Sequence, residues 1–223
     1  KGYIASVPRM TLKLGDGAVN DEKTRGKAMS MKLMNTIDRI LLEDARCGAN
    51  NNVRFARMRL YYYNKIVYHT LLRPIDAEMG AMKWKDITWH KSKDTKGAMI
   101  ANIKIKIGKK KSGRFATATY KGTLFLLRWR AICIEMGFGK DDDYVIPNHD
   151  GSQCPSWHIG TTLRKRLMHY GMRYLDDGSK ITLYSWRASA ITNRLVYSGW
   201  GIERVANASD TRIQAISQSD YYE

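Results

Sequence analysis

The chain has 223 residues, 43% of them hydrophobic, which is room for one large domain or for one domain with a short arm. Thirty-eight Lys and Arg against 21 Asp and Glu give a net charge of +17 at pH 7, which points to a polyanionic partner, with nucleic acid ahead of an anionic membrane surface. No run of ~20 apolar residues is present to span a membrane, no secretory signal opens the chain, and Cys47, Cys133 and Cys154 are too scattered for a metal site or a disulfide framework, so a reduced, cytoplasmic protein is expected.

Residues 1–29 read as an irregular, charged linker or arm arriving from something upstream, broken by Pro8, Gly15 and Gly17. The body, residues 30–223, begins near Ser30, where Leu33, Ile37, Ile40 and Leu41 recur at helical spacing. After a Gly-Ala-Asn-Asn-Asn break (48–52) a second helix is expected over Val53–Leu72, with Tyr61, Lys65, Tyr68 and Leu72 on one face. The period then changes. Met82–Ile87, Ile100–Ile107 and Phe115–Tyr120 alternate and read as strands of a small antiparallel sheet, the last two joined by a turn over Gly108–Gly113. Helices are expected again over Thr123–Met136, with Cys133 as a core thiol, then over Trp157–Tyr174 and Tyr184–Tyr197, with short helical pieces to the end. The fold class is α+β, mainly α-helical, with a minor sheet.

Four segments concentrate chemistry. His69-Thr70-Leu71-Leu72-Arg73-Pro74-Ile75-Asp76 ends a helix in an arginine with an acid three residues on, and Met82-Lys83-Trp84-Lys85-Asp86-Ile87 follows it. Lys109-Lys110-Lys111-Ser112-Gly113-Arg114 is a basic turn between strands. Leu183-Tyr184-Ser185-Trp186-Arg187 opens a helix, and Asp220-Tyr221-Tyr222 lies at the end. Two arginines can clamp a phosphate with forked donors that lysine cannot copy, and such charge stabilisation is often the largest catalytic contribution.

Taken in order, these segments resemble the tyrosine recombinase (phage integrase) family. Its first box, Thr-Gly-x-Arg-x-x-Glu followed by a Leu-Lys-Trp-x-Asp-Ile strand, is matched by Thr70, Arg73, Asp76, Lys83, Trp84, Asp86 and Ile87. Its Lys-Thr-Gly-Arg hairpin is close to Lys111-Ser112-Gly113-Arg114, and the Tyr-Ser-x-Arg variant of its second box fits Tyr184-Ser185-Trp186-Arg187. The resemblance implies that residues 1–29 are the linker from an N-terminal DNA-binding domain. It further implies a DNA breaking-rejoining catalytic domain in which Arg73 and Arg187 hold the scissile phosphate and Lys111 protonates the leaving 5′ oxygen. Lys109 and Lys110 are its substitutes if the hairpin register slips. Tyr184, whose phenol is a poor base because its ordinary pKa is about 10, positions the phosphate. Asp76 is read as a buttress for Arg73 or for the adjacent helix.

The nucleophile is a tyrosine near the end, Tyr221 or Tyr222. Counting back nine residues from Tyr221 reaches Arg212 as the third-box donor, whereas the nearest phage subtype equates Thr211 with that donor. Lys109, Lys110, Arg114 and the basic face Arg164-Lys165-Arg166 are expected to contact the DNA backbone. The partners implied are double-stranded DNA and a homo-tetramer on two DNA sites, the fragment alone being monomeric without DNA. No cofactor or metal is implied, because the bond energy stays in the phosphotyrosine, and no membrane partner is implied. The setting implied is bacterial, phage or mobile-element, at the nucleoid. A type IB topoisomerase shares this chemistry, and a DNA-binding protein with a decayed site is the reading from a different class. Arg73 also reads as a helix C-terminal cation, and Arg187 as a surface residue of its helix.

Overall fold

The structure, a computed structural model, describes residues 27–91, 98–106 and 113–211. The helix α1 (Met31–Arg46) starts where the Ser30 hydroxyl accepts from Leu33 N at 3.2 Å, and α2 (Asn51–Thr70) where the Asn50 side chain accepts from Val53 N at 2.9 Å. Each cap satisfies an amide that the first turn of a helix leaves unpaired. The remaining helices are α3 (Tyr120–Glu135), α4 (Ser156–His169), α5 (Leu183–Val196) and α6 (Ile202–Ser209).

The second half of α2 is the axis of the domain. Leu60–Asn64, Ile66 and Val67 are buried all round, because α1, α3, α4 and α5 each pack against this helix. A stripe on one face was the expectation. Tyr61, Lys65 and Tyr68 do lie toward neighbouring helices, but the helix ends at Thr70, two residues short of Leu72. The core runs continuously from α1 through Phe55, Trp129 and Trp186. Cys133 sits within it. Trp186 also donates from Nε1 to Asp38 Oδ1 at 3.1 Å, which satisfies its buried polar atom.

The sheet is a meander, β1 (Ile87–Lys91), β2 (Met99–Ile105) and β3 (Arg114–Thr117), all antiparallel. Ile87, Ile103 and Ala116 lie in register and face inward, and Asn102 and Thr117 bond on the outer face at 2.8 Å. The first strand is displaced from its expected place. Residues 82–86 do not pair along a strand: Lys83 makes a single bridge to Tyr144, and Trp84–Asp86 form a 3₁₀ turn. Asp86 caps that turn by accepting from Lys83 N at 3.1 Å, while the Trp84 ring is buried, so alternation here marks a tight turn packed on the core. The helix α4 ends at His169, five residues before the expected Tyr174, and α3 begins three residues earlier than expected, at Tyr120. The hairpin tip at 107–112, the arm at 1–26 and the segment 212–223 lie outside the described residues. Among the described residues no helix is long and apolar enough to cross a membrane.

Candidate active site: an arginine cluster at the ends of two helices

The last turn of α2 closes on Leu71, which adopts a left-handed conformation (φ 60°, ψ 20°) rare for a side chain with a Cβ. The turn is held by Leu71 N donating to Val67 O at 3.0 Å and by the Thr70 hydroxyl donating to Ile66 O at 2.6 Å. Left-handed geometry reverses the chain at the end of α2 and leaves the Leu71 carbonyl unused by the helix. The Arg187 guanidinium, projecting from the second turn of α5, donates to that carbonyl through Nη1 and to the Ser209 carbonyl through Nη2. Nη2 also lies 3.3 Å from the Thr211 hydroxyl. A single buried arginine therefore ties the C-terminal ends of α2 and α6 together.

Arg73 lies two residues past Leu71. Its backbone N donates to Glu78 Oε2 at 2.7 Å and its Nη1 to Glu78 Oε1 at 2.6 Å, while Nη2 pairs with Asp210 Oδ2 at 2.9 Å. Arg114, the first residue of β3, reaches the same place: Nη2 donates to Glu78 Oε2 at 2.9 Å, and Nε stands 3.9 Å from Asp210 Oδ2. Among the described residues, three guanidiniums face two carboxylates, which leaves one positive charge over. Burial pushes the Arg187 pKa down to about 10, and Arg73 and Arg114 add to that push, so the group remains charged at neutral pH. For Arg73 burial works against the charge, but Glu78 and Asp210 outweigh it and hold the pKa above its ordinary value. These are the electrostatics of an anion site: fixed, largely desolvated cations already balanced in part by carboxylates.

The acid beside Arg73 is not the expected one. Asp76 instead accepts from Ser156 N at 2.5 Å, capping the first turn of α4, so of its two expected roles the structure supports the one toward the adjacent helix. The partner of Arg73 is Glu78. The turn Asp76–Gly80 is π-helical, with Ala81 N bonded to Asp76 O at 2.7 Å, and within it Glu78 faces the arginines while Asp76 faces α4. Glu78, Asp210 and the Leu71 and Ser209 carbonyls carry no signal that sequence spacing could read. Arg114, expected only as a backbone contact, is part of the cluster. The surface reading of Arg187 is overturned, since the residue is 6% exposed.

Tyr184 stands in the first turn of α5. It lines a cavity of about 340 Å³ together with Pro74, which follows Arg73 in the chain, and Trp157, Arg164, Arg173 and Thr182, and it stands three residues before Arg187. On α4, Arg164 and Lys165 are exposed, as expected of a basic face. Arg166 is turned the other way: its Nη1 lies 3.0 Å from Asp44 Oδ1, in a network with Arg57 and Tyr170 that pins α4 to α1 and α2. Trp200 is held between the Arg194 and Arg204 guanidiniums, at 5.3 and 4.1 Å from its ring centre. Lys109, Lys110, Lys111, Arg212, Tyr221 and Tyr222 lie outside the described residues. No group of three His, Cys, Asp or Glu among the described residues is placed to hold a metal ion.

The fold is that of the tyrosine recombinase catalytic domain. The XerA recombinase matches with a TM-score of 0.60 at 15% identity, covering 86% of this chain and 59% of that one. The XerH site-specific recombinase, in a pre-cleavage complex bound to its difH substrate, matches at 0.57 and 18% identity, covering 82% and 49%. The lambda integrase bound to DNA matches at 0.50 and 13% identity, covering 89% and 62%. The chain thus spans about half to three fifths of the length of these proteins. No protein-family model matches the sequence, and no curated protein is detectably similar to it.

Proposed function

We propose that this chain is the DNA-cleaving and rejoining domain of a tyrosine-type site-specific recombinase. What carries the reading is the meeting of Arg73, Arg114 and Arg187 at one point from three separate segments, with one positive charge left over among the described residues. A phosphodiester fits such a site, because the charge that develops on its non-bridging oxygens finds donors already oriented and largely shielded from water. Arg73 and Arg187 hold those oxygens, and Tyr184 donates to the same phosphate from the mouth of α5. The phenol oxygen of Tyr221, with Tyr222 as its alternative, attacks phosphorus and the bond to the 5′ oxygen breaks. Lys111 protonates that oxygen. The 3′-phosphotyrosyl link preserves the bond energy, so attack by a 5′-hydroxyl of a partner strand reverses the step without ATP. Arg164 and Lys165 extend the positive surface toward the DNA backbone. Recombination requires two duplex sites, which a tetramer would bring together.

The test is covalent trapping. Duplexes from the ends of the host element are nicked close to the cleavage point, so that a short product diffuses away and the phosphotyrosine accumulates. A protein–DNA band on a denaturing gel, lost in Tyr221→Phe and in Arg187→Lys, supports the reading. A band lost only in Tyr222→Phe keeps the chemistry and moves the nucleophile. Duplex binding with no band from any substrate refutes the enzyme and leaves a DNA-binding protein.

A further inference from the structure

The arginine cluster already holds an anion of its own. Glu78 is a fixed part of the site: its side chain is 1% exposed and makes three hydrogen bonds. Asp210 is different. Its side chain is 17% exposed, far more than that of Glu78, and it closes α6 in a left-handed conformation (φ 50°, ψ 45°) that aspartate and asparagine take more readily than most residues. Its fit to the cations is also incomplete. One carboxylate oxygen pairs with Arg73 at 2.9 Å but leaves Arg114 Nε at 3.9 Å, and that buried nitrogen has no hydrogen-bond partner among the described residues. A tetrahedral anion, with oxygens spread more widely than those of a carboxylate, can meet both arginines at once.

We infer that the Asp210 carboxylate is a resident stand-in for the DNA phosphate, which occupies the Arg73–Arg114 site in the free chain and must be displaced before a phosphodiester can bind there. The inference rests on reading the cluster as the phosphate site. Its consequence is coupling. Asp210 is the C-cap of α6 and Ser209 beside it accepts from Arg187, so an incoming phosphate competes for donors that anchor the end of this helix. Without DNA the arginines hold Asp210, and the site does not sit open to other anions.

Asp210→Asn separates this from a plain structural ion pair. Asparagine tolerates the left-handed conformation and keeps the backbone carbonyl that accepts from Arg73 at 2.6 Å, while the competing charge is gone. Affinity for a labelled duplex of arbitrary sequence is measured by fluorescence anisotropy over a salt series, with Glu203→Gln, an exposed acid on the same helix, as the control for net charge. The expected result is about tenfold tighter binding for Asp210→Asn with a salt dependence steeper by about one phosphate contact, and less than a twofold change for Glu203→Gln. Adding Arg73→Ala to Asp210→Asn removes the gain. Unchanged or weaker binding by folded Asp210→Asn, or equal gains in both single variants, overturns the inference. If Asp210→Asn fails to fold, Asp210→Gly, which takes a positive φ freely, is read in the same way. Failure of covalent trapping with a persistent Asp210→Asn gain would instead reject the enzymatic reading and leave the displacement standing.

Discussion

Replacing Glu78 by glutamine keeps shape and volume and removes one charge, so it asks directly whether this carboxylate holds the cluster together. Glu78 Oε2 accepts from Arg73 N at 2.7 Å and from Arg114 Nη2 at 2.9 Å, and Oε1 accepts from Arg73 Nη1 at 2.6 Å. A glutamine can keep its carbonyl oxygen at the Oε2 position and retain two of these bonds. Its amide then turns N–H groups toward the Arg73 guanidinium, which is itself a donor. One charge-assisted bond is lost, worth about 1.5–3 kcal/mol, and three guanidiniums are left facing Asp210 alone. Glu78→Gln is therefore expected to cost about 2–3 kcal/mol and Glu78→Ala about 3–5 kcal/mol, the range for removing one member of a buried ion pair. Urea denaturation followed by far-UV circular dichroism measures this, with the slope unchanged if the transition stays two-state. Added sulfate should return part of the loss, since it supplies the missing anion. A Glu78→Gln midpoint within about 0.5 kcal/mol of the parent would show that the cluster does not depend on this charge, and the electrostatic account of the site would fail.

His69 gives a pH signature. Burial drives its pKa down to about 3, with Lys65, Arg194 and Lys121 adding to the effect, whereas the unfolded chain titrates near 6.5. The unfolded state therefore takes up a proton that the folded state refuses, and stability should fall as pH drops from about 6.5 toward 3, at up to about 1.4 kcal/mol per pH unit. His69→Gln, which can keep a bond to the Thr119 hydroxyl now 2.7 Å from Nδ1, should flatten the slope between pH 6.5 and 5; identical slopes would refute the assignment. Leu72→Ala removes a fully buried side chain between Leu71 and Arg73 and should cost about 2–5 kcal/mol in urea; a loss below about 1 kcal/mol would mean that the site collapses around the gap. On α4, Arg164→Ala should weaken duplex binding and lower its salt slope by about one, while Arg166→Ala should act on stability through Asp44. Equal salt slopes for the two variants would refute that division.

Helical period was legible in the sequence, and the caps that set the helix starts are local. Ser30 and Asn50 begin α1 and α2 because their side chains satisfy local amides, and a local bond needs no tertiary partner. The two arginine boxes and the hairpin between them were legible as well, because each is a short run with a defined chemistry. What tertiary structure decided was the partners. Counting three residues from Arg73 chose Asp76, but in the folded π-helical turn Glu78 meets the arginine and Asp76 caps α4. Met82–Ile87 alternates as a strand would, yet Trp84 needed burial and Asp86 capped the turn beneath it, so pairing began only at Ile87. Arg187 was legible as a phosphate-binding candidate, but not its burial or its place opposite Leu71 O and Ser209 O. Carbonyls such as these belong to every residue and mark none, and a cluster assembled from residues 73, 78, 114, 187 and 210 exists only once the chain has folded.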